Sequence, residues 1–538
     1  MTRMLRVWIL CCIACSCLGA ERWVYVSDNL LVDERVQRLE ALIERSGKAG
    51  YDHMLLSDSK FCRLAEMPEK YFKNVQRIKD AAVRAKIEIV PAVFPVGYSN
   101  DLLFQDPNLV EGPPVVDALF VVKGGVAHFQ PDSPAVLKGG DMSNLKLWDF
   151  HDTNMVAVAG AVRVMDPRGA NARIAQKISV TPFRQYHVTV RVKTEGFKGT
   201  PEVKVLADGF ALNYDTLKTK PTQDWTVQHV VFNSLTNRQV TLYLGAWGAT
   251  RGALWWDDVT LEEVGLVNLI RRPGSPLRVR TEAGRRLVEG KDFEPLRDPK
   301  MGNQPYAGNY DVYHEPPSIR IKGDIAEGTR LRVSYYHAAT VYDGQAAMDV
   351  AEPKALELLT DQARRVNALF HADAYMMSHD EIRVMGWSEA FQKRGLTPGQ
   401  LLAENAKECV RILRELNPKC RIYVWNDMFD PNHNAVKGPY YLVRGPLTGS
   451  WAGLPSDVII MQWHGDSAEG RARSLKFFSD RGHHQIIAGY YDAGPKQVNA
   501  WLDSAREVKG VDGVMYTTWQ NRYDDLEAVA DLLKGAGW

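Results

Sequence analysis

The stretch 376-MMSHDEIRVMGW-387 sets His379, Asp380 and Glu381 directly after the apolar run Ala374-Tyr375-Met376-Met377. Two adjacent carboxyls drawn out of water resist ionising together, so one keeps a proton near neutral pH while the other is charged. Such a pair can protonate a leaving oxygen and stabilise a positive carbon, the two tasks that cleaving a glycosidic bond requires. Other apolar runs end in similar residues: Asp58 after HMLLS, Tyr98 after IEIVPAVFPVG, Trp425 and Asp427 in RIYVWND, Trp463 in VIIMQWHGD, Tyr490 to Asp492 in IIAGYYDA, and Trp519 in GVMYTTW. Indole faces suit the C–H face of a sugar ring, and carboxylates its hydroxyls. A lone Asp-Glu is more simply a solvated pair opening a helix. The recurrence of aromatic and acidic residues at run after run favours a shared site.

Those runs need a scaffold that brings their ends together. From residue 22 short apolar strands alternate with helical patterns: WVYVSD, HMLLSD and IEIVPAVFP are separated by helices near 33–48 and 69–86. The rhythm resumes with a helix near 353–370 before AYMMSHDE and one near 398–416 before RIYVWNDMFD, and continues through the last three runs. About eight β-α units predict a closed (β/α)8 TIM barrel, an α/β fold whose chemistry gathers at the C-terminal ends of its strands. Between about 112 and 345 amphipathic helices give way to alternating segments such as YHVTVRVKT, WTVQHVVF and QVTLYLGAW, which predicts an all-β insertion after the third strand. LRVSYYHA (331–338) would make a ninth barrel strand and is assigned to the insertion.

Taken together, five segments resemble the β-N-acetylhexosaminidases of glycoside hydrolase family 20. SHDE is similar to that family's G-G-D-E strand end, VPAVFPVGYSNDLL to P-E-x-D-x-P-G-H-S, VIIMQWHGD to the sixth-strand x-V-W, GYYDA to Y-L-D, and TTW to the final W-x-E. The similarity is collinear over roughly 21–110 and 350–538. It implies that Glu381 is the general acid/base and that Asp380 orients the substrate's 2-acetamido group, whose carbonyl oxygen attacks the anomeric carbon. It further implies that Tyr491, with Tyr490 as its rival, bonds that oxygen, that Asp492 holds a sugar hydroxyl, and that Trp425, Trp463 and Trp519 wall the subsite. The chain departs from the pattern where the first-strand Arg has no counterpart in WVYVSDNLL, where Tyr98 stands for the histidine of P-G-H, and where Gln520 stands for the last Glu. His379 replaces a Gly, and either tunes Glu381 or makes a structural hydrogen bond. Substrate choice therefore stays open, including a conventional retaining mechanism with Asp492 or Asp427 as nucleophile and a non-catalytic glycan-binding role.

The expected division is a signal peptide at 1–20, barrel at 21–111, a β-sandwich (jelly-roll) block at 112–262, a second β-rich block at 263–345, and barrel again at 346–538. The first block ends in GALWWDDVTLEEV and looks like a carbohydrate-binding module. Trp148, Trp225, Trp247, Trp255 and Trp256 are its aromatic candidates, about half of which strand alternation sends to the core. Asp257 and Asp258 alone are a poor oxygen set for Ca²⁺, so no metal and no cofactor are expected.

Lys plus Arg number 66 against 65 Asp plus Glu, a balance that offers no field to draw nucleic acid or an anionic membrane. A glycan is the expected partner; oligomeric state is not legible. Arg3 and Arg6 precede an apolar run to about Leu18, the order of a cleaved export signal rather than of a membrane span, so a secreted or periplasmic location is expected, with a lipoprotein as the lesser alternative. That segment holds Cys11, Cys12, Cys15 and Cys17, leaving Cys62, Cys409 and Cys420 as free thiols. H-E-x-x-H, G-x-S-x-G, P-loop and EF-hand patterns are absent.

Overall fold

The computed structural model describes residues 20–164, 170–463, 465, 467–490, 492 and 494–538. Eight parallel strands close into a barrel in chain order: β1 Glu21–Ser27, β2 His53–Ser57, β3 Glu88–Val93, β4 Ala374–Met377, β5 Arg421–Trp425, β6 Ile459–Gln462, β7 Gln485–Ile487 and β8 Val511–Tyr516. Parallel pairing of β8 with β1, through Met515 opposite Trp23, completes the circle. Each strand sends alternate residues inward, so one parity makes the barrel's own core: Trp23, Leu55, Val90, Met376, Tyr423, Met461, Ile486 and Met515. The other parity packs on surrounding helices, as Val24, Met54, Tyr375, Ile422 and Ile460 do.

The helices carry matching stripes. Helix α1, Asp33–Ala49, buries Val36, Leu39 and Ile43, and α2, Glu69–Ala85, buries Val75, Ile78 and Ala82. Helices α3, Pro353–Phe370, and α4, Pro398–Leu416, flank β4. The start of α4 is fixed by a capping box between Thr397 and Gln400, with Pro398 in the first turn where its missing N–H costs nothing. Cys62, Cys409 and Cys420 are buried free thiols. Among the described residues no helix is long and apolar enough to cross a membrane. The expected export signal lies almost wholly in residues 1–19, outside the described residues.

The barrel is interrupted after β3 by two antiparallel units, and they are nested. Pro114–Lys123 and Val126–Phe129 leave the barrel first, but they join the seven-stranded sheet that contains Arg278–Thr281 and Arg330–His337. The eight-stranded unit, from Phe150 to Val264, is inserted within that sheet rather than preceding it. Its two long strands, Gln185–Ala207 and Gln239–Val264, run antiparallel with register shifts and enclose a core that includes Val188, Val203, Leu242 and Trp256. The first block therefore starts later than the expected 112, and LRVSYYHA belongs to the seven-stranded sheet. Of the five Trp, Trp148 and Trp256 are buried in the core, whereas Trp225, Trp247 and Trp255 are half-buried, each beneath an Arg or Lys side chain.

Candidate active site

The inward parity of each strand continues into the mouth of the barrel. On β4 it runs Ala374, Met376, Ser378 and Asp380; on β5 it ends at Trp425, beyond β6 at Trp463, and beyond β8 at Trp519. With Tyr25 and Ser27 from β1 these residues line a cavity of about 670 Å³, within the range of small-molecule sites. The aromatic wall is continuous: ring centroids of Trp519 lie 6.1 Å from both Trp425 and Trp463 and 5.3 Å from Tyr25. Trp519 remains 49% exposed, at the rim, while Trp425 is 5% exposed, at the floor.

Glu381 departs from the strand pattern. Its φ of +47° puts a non-glycine residue in the left-handed region, which turns the chain and places its carboxylate beside Asp380 in the same cavity. Asp427 holds this turn by accepting the Glu381 N–H at 2.9 Å. From the other side, Gly97 lies against the Asp380 peptide so closely that a Cβ there would sit 2.0 Å from the Asp380 carbonyl oxygen. Only glycine lets the β3 loop close on the acidic turn.

Arg383 donates to Glu381 Oε1 at 2.6 Å, and the Tyr98 hydroxyl donates to Oε2. Arg383 in turn donates to the Tyr98 hydroxyl at 3.2 Å and to Gln345, and lies over the Tyr342 ring at 4.5 Å. Gln345 ties the network to the main chain of Gly97 and Glu381. Burial, reinforced by the negative charge of Glu381, pushes the Asp380 carboxyl up to about 7. Burial followed by the charge of Asp380 pushes Asp427 up to about 8. Asp380 and Asp427 are both pushed toward their protonated forms, so this corner stores a proton near neutral pH.

The remaining expected residues divide between cavity and wall. Tyr98, 40% exposed, and Asp58 both line the cavity, although Asp58 is fixed as a loop staple by the N–H groups of Leu30 and Lys60 and the Tyr71 hydroxyl. Asp492 stands at the β8 end, accepting from Thr518 and from the Trp519 N–H at 3.0 Å. Three further expected residues sit in the wall rather than in the lining of the cavity, His379 in the structural hydrogen bond that was one of its two expected roles. Asp427 is fully buried, with its oxygens taken by Glu381 N, Asn434 and Trp463. His379 has the opposite parity to Asp380, points away from the cavity to Asn405 at 3.0 Å, and is pushed down to about 4 by burial. Tyr490 is buried too, bonded to Asp525 and stacked on Tyr516 at 4.3 Å. Tyr491 lies outside the described residues. Sequence reasoning missed Arg383, Gln345 and Tyr342. Arg383, two residues beyond Glu381 and in the same short stretch, carried the one available signal.

No family model matches the chain, and no curated protein matches it. Solved structures do. A rhamnosidase from Novosphingobium sp. PP1Y matches with 11% identity and a TM-score of 0.37 over 96% of this chain and 59% of its own. A glycoside hydrolase family 20 β-N-acetylglucosaminidase matches with 9% identity and a TM-score of 0.35 over 96% of this chain and 68% of its own. A carbohydrate-binding module of family 4 matches over 29% of this chain and 98% of its own, with 14% identity and a TM-score of 0.18. At such scores none of these likenesses bears on chemistry, which rests on the site itself.

Proposed function

We propose that this chain is a secreted glycoside hydrolase of the β-N-acetylhexosaminidase type, retaining, exo-acting and assisted by the substrate's own 2-acetamido group. The observation that carries the reading is the pairing of Asp380 with Glu381 inside a cavity whose other wall is Tyr25, Trp425, Trp463 and Trp519. A terminal sugar stacked on the indoles presents its anomeric carbon to the acidic turn. Arg383 anchors Glu381 Oε1, which leaves Oε2, now the acceptor of Tyr98, to meet the glycosidic oxygen.

The proton stored in the Asp380–Glu381 corner is carried by Glu381 Oε2 once the substrate's acetamido N–H holds Asp380 charged, and it passes to that oxygen as the bond to the anomeric carbon breaks. The acetamido carbonyl oxygen forms the replacing bond, while charged Asp380 accepts the acetamido N–H. Water then attacks the anomeric carbon, loses its proton to Glu381 and reopens the ring, with net retention. The conventional alternative needs an opposing carboxylate as nucleophile. Asp427 is buried with its oxygens occupied, and those of Asp492 hold Thr518 and Trp519, so neither is presented for that role.

Aryl glycosides with and without a 2-acetamido group, assayed with and without a thiazoline mimic of the cyclised intermediate, test the proposal. Turnover confined to acetamido sugars and blocked by the mimic is expected, with Glu381→Gln lowering kcat by about 10²- to 10⁴-fold. Turnover of plain hexosides that the mimic leaves untouched overturns substrate assistance. An unchanged rate in Glu381→Gln overturns the acid/base assignment.

A further inference from the structure

A second cavity, of about 630 Å³, adjoins the first and shares Tyr98, Asp101 and Tyr342 with it. The barrel contributes little to it. Its far wall comes from the eight-stranded unit, through Lys218 and His229, and from the segment Tyr306–Tyr313 of the seven-stranded unit. Three features describe what it takes. Tyr306 is 66% exposed, a large aromatic face turned to solvent. Tyr313 is held flat against His187, with centroids 3.9 Å apart and planes at 8°, and His229 stacks beyond at 5.4 Å, so the aromatic shelf is rigid. Arg63 and Lys218 face Asp101, Asp311 and Asp343, and Arg63 is paired with Asp101 at 3.2 Å, a mixed lining without the cationic bias a phosphate or polyanion needs. Aromatic platforms amid mixed polar groups suit a neutral glycan.

Its position fixes which part of the glycan. Trp425, Trp463 and Trp519 stand on the β5, β6 and β8 side of the mouth, whereas Glu381, Tyr98 and Tyr342 stand on the β3 and β4 side. The oxygen that receives a proton from Glu381 therefore leaves toward Tyr98 and Tyr342, and the second cavity opens beyond them.

Resting on the glycosidase reading, we infer that this second cavity binds the leaving-group side of the substrate, so that the natural substrate is an oligosaccharide with more than one sugar unit beyond the scissile bond. The two inserted units are then part of the substrate site. A flexible aryl aglycone reaches Tyr98 but leaves the shelf of Tyr306 and Tyr313 empty.

The test compares an aryl β-N-acetylhexosaminide with the matching di-, tri- and tetrasaccharides as substrates. In parallel, calorimetry measures binding of the same saccharides to full-length Glu381→Gln protein, in which turnover does not intrude. Both kcat/KM and affinity should rise about tenfold or more with each of the first added units, and Tyr306→Ala should flatten that rise. Because Tyr306 is exposed, this variant folds even if Tyr313→Ala, which unstacks His187, does not. Length dependence that is flat or absent in both measurements overturns the inference, as does a rise that Tyr306→Ala leaves intact. Absence of turnover on every glycoside instead defeats the hydrolase reading, and the binding series then decides the cavity by itself.

Discussion

Asp380 and Glu381 share a peptide bond yet meet different surroundings, which in the free site favour the proton on Asp380; a bound acetamido N–H has to reverse that before Glu381 can act as the acid. Glu381 has a guanidinium and a phenol at its two oxygens, whereas Asp380 has burial and a neighbouring negative charge, which together push it up to about 7. Polarising an acetamido N–H requires Asp380 in its charged form. Binding of a neutral 2-acetamido monosaccharide, whose amide N–H charged Asp380 accepts, should therefore tighten as pH rises through about 7, well above the ordinary carboxylate range. In Glu381→Gln the neighbouring charge is gone, so the midpoint should move to lower pH, with burial alone still holding it above about 4. Calorimetric titration of both proteins between pH 4 and about 9 reads the shift. A common midpoint in the two proteins would show that the charge of Glu381 does not govern Asp380.

The elements that aim these groups are the ends of β3 and β4, and their approach depends on one hydrogen atom. Gly97→Ala puts a methyl where the Asp380 carbonyl oxygen stands 2.0 Å away, and a backbone atom cannot swing aside as a side-chain tip can. The β4 turn must shift, and Glu381 moves with it. A displacement of about 1 Å costs roughly 10²-fold in rate, while overpacking costs about 1–3 kcal/mol of stability. Circular dichroism should thus show folded Gly97→Ala protein at 25 °C whose kcat/KM has fallen by about that factor; wild-type kcat/KM would mean the loops do not position the acid. Parity along each strand made much of the site legible in the sequence. The series Met376, Ser378, Asp380 already separates the cavity from His379, which belongs to the opposite face. What parity misses is the left-handed turn at Glu381, because a Glu with positive φ leaves no local mark, and so the role of Arg383 stayed hidden. Nor does a local pattern say that Pro114–Lys123 pairs with Arg330–His337, across the whole eight-stranded unit. Read locally, those residues look like the start of the unit they merely precede.

For the whole molecule, the question is how a barrel stays closed while its chain leaves after β3 and returns before α3. The crossing point is clamped by Arg272, which is 6% exposed. It donates to Asp349 at 2.7 Å and Glu352 at 3.1 Å on the returning strand of chain, and to the carbonyls of Asn108 and Val110 on the departing one. Glu111 is buried alongside, bonded to the N–H groups of Gly112 and Gly386 and pushed up to about 8 by burial and by the charge of Asp349. Arg272→Ala leaves fully buried Asp349 facing Glu111 with no counter-charge, a loss worth about 3–5 kcal/mol. The pH dependence has a definite sign. Glu111, raised in the folded protein, holds a proton there that the unfolded chain has released above about pH 4.5, so its contribution to native stability falls as pH rises toward 8. The Arg272 charge lowers Glu111, so removing it raises Glu111 further, and the deficit should be larger at pH 8 than at pH 5. Urea unfolding at both pH values measures it. A deficit below about 1 kcal/mol at either pH would mean that the crossing point is held by the sheets alone. A deficit that grows with pH ties the inserted units and the barrel into one folding unit, in which the second cavity and the acidic turn keep a fixed separation.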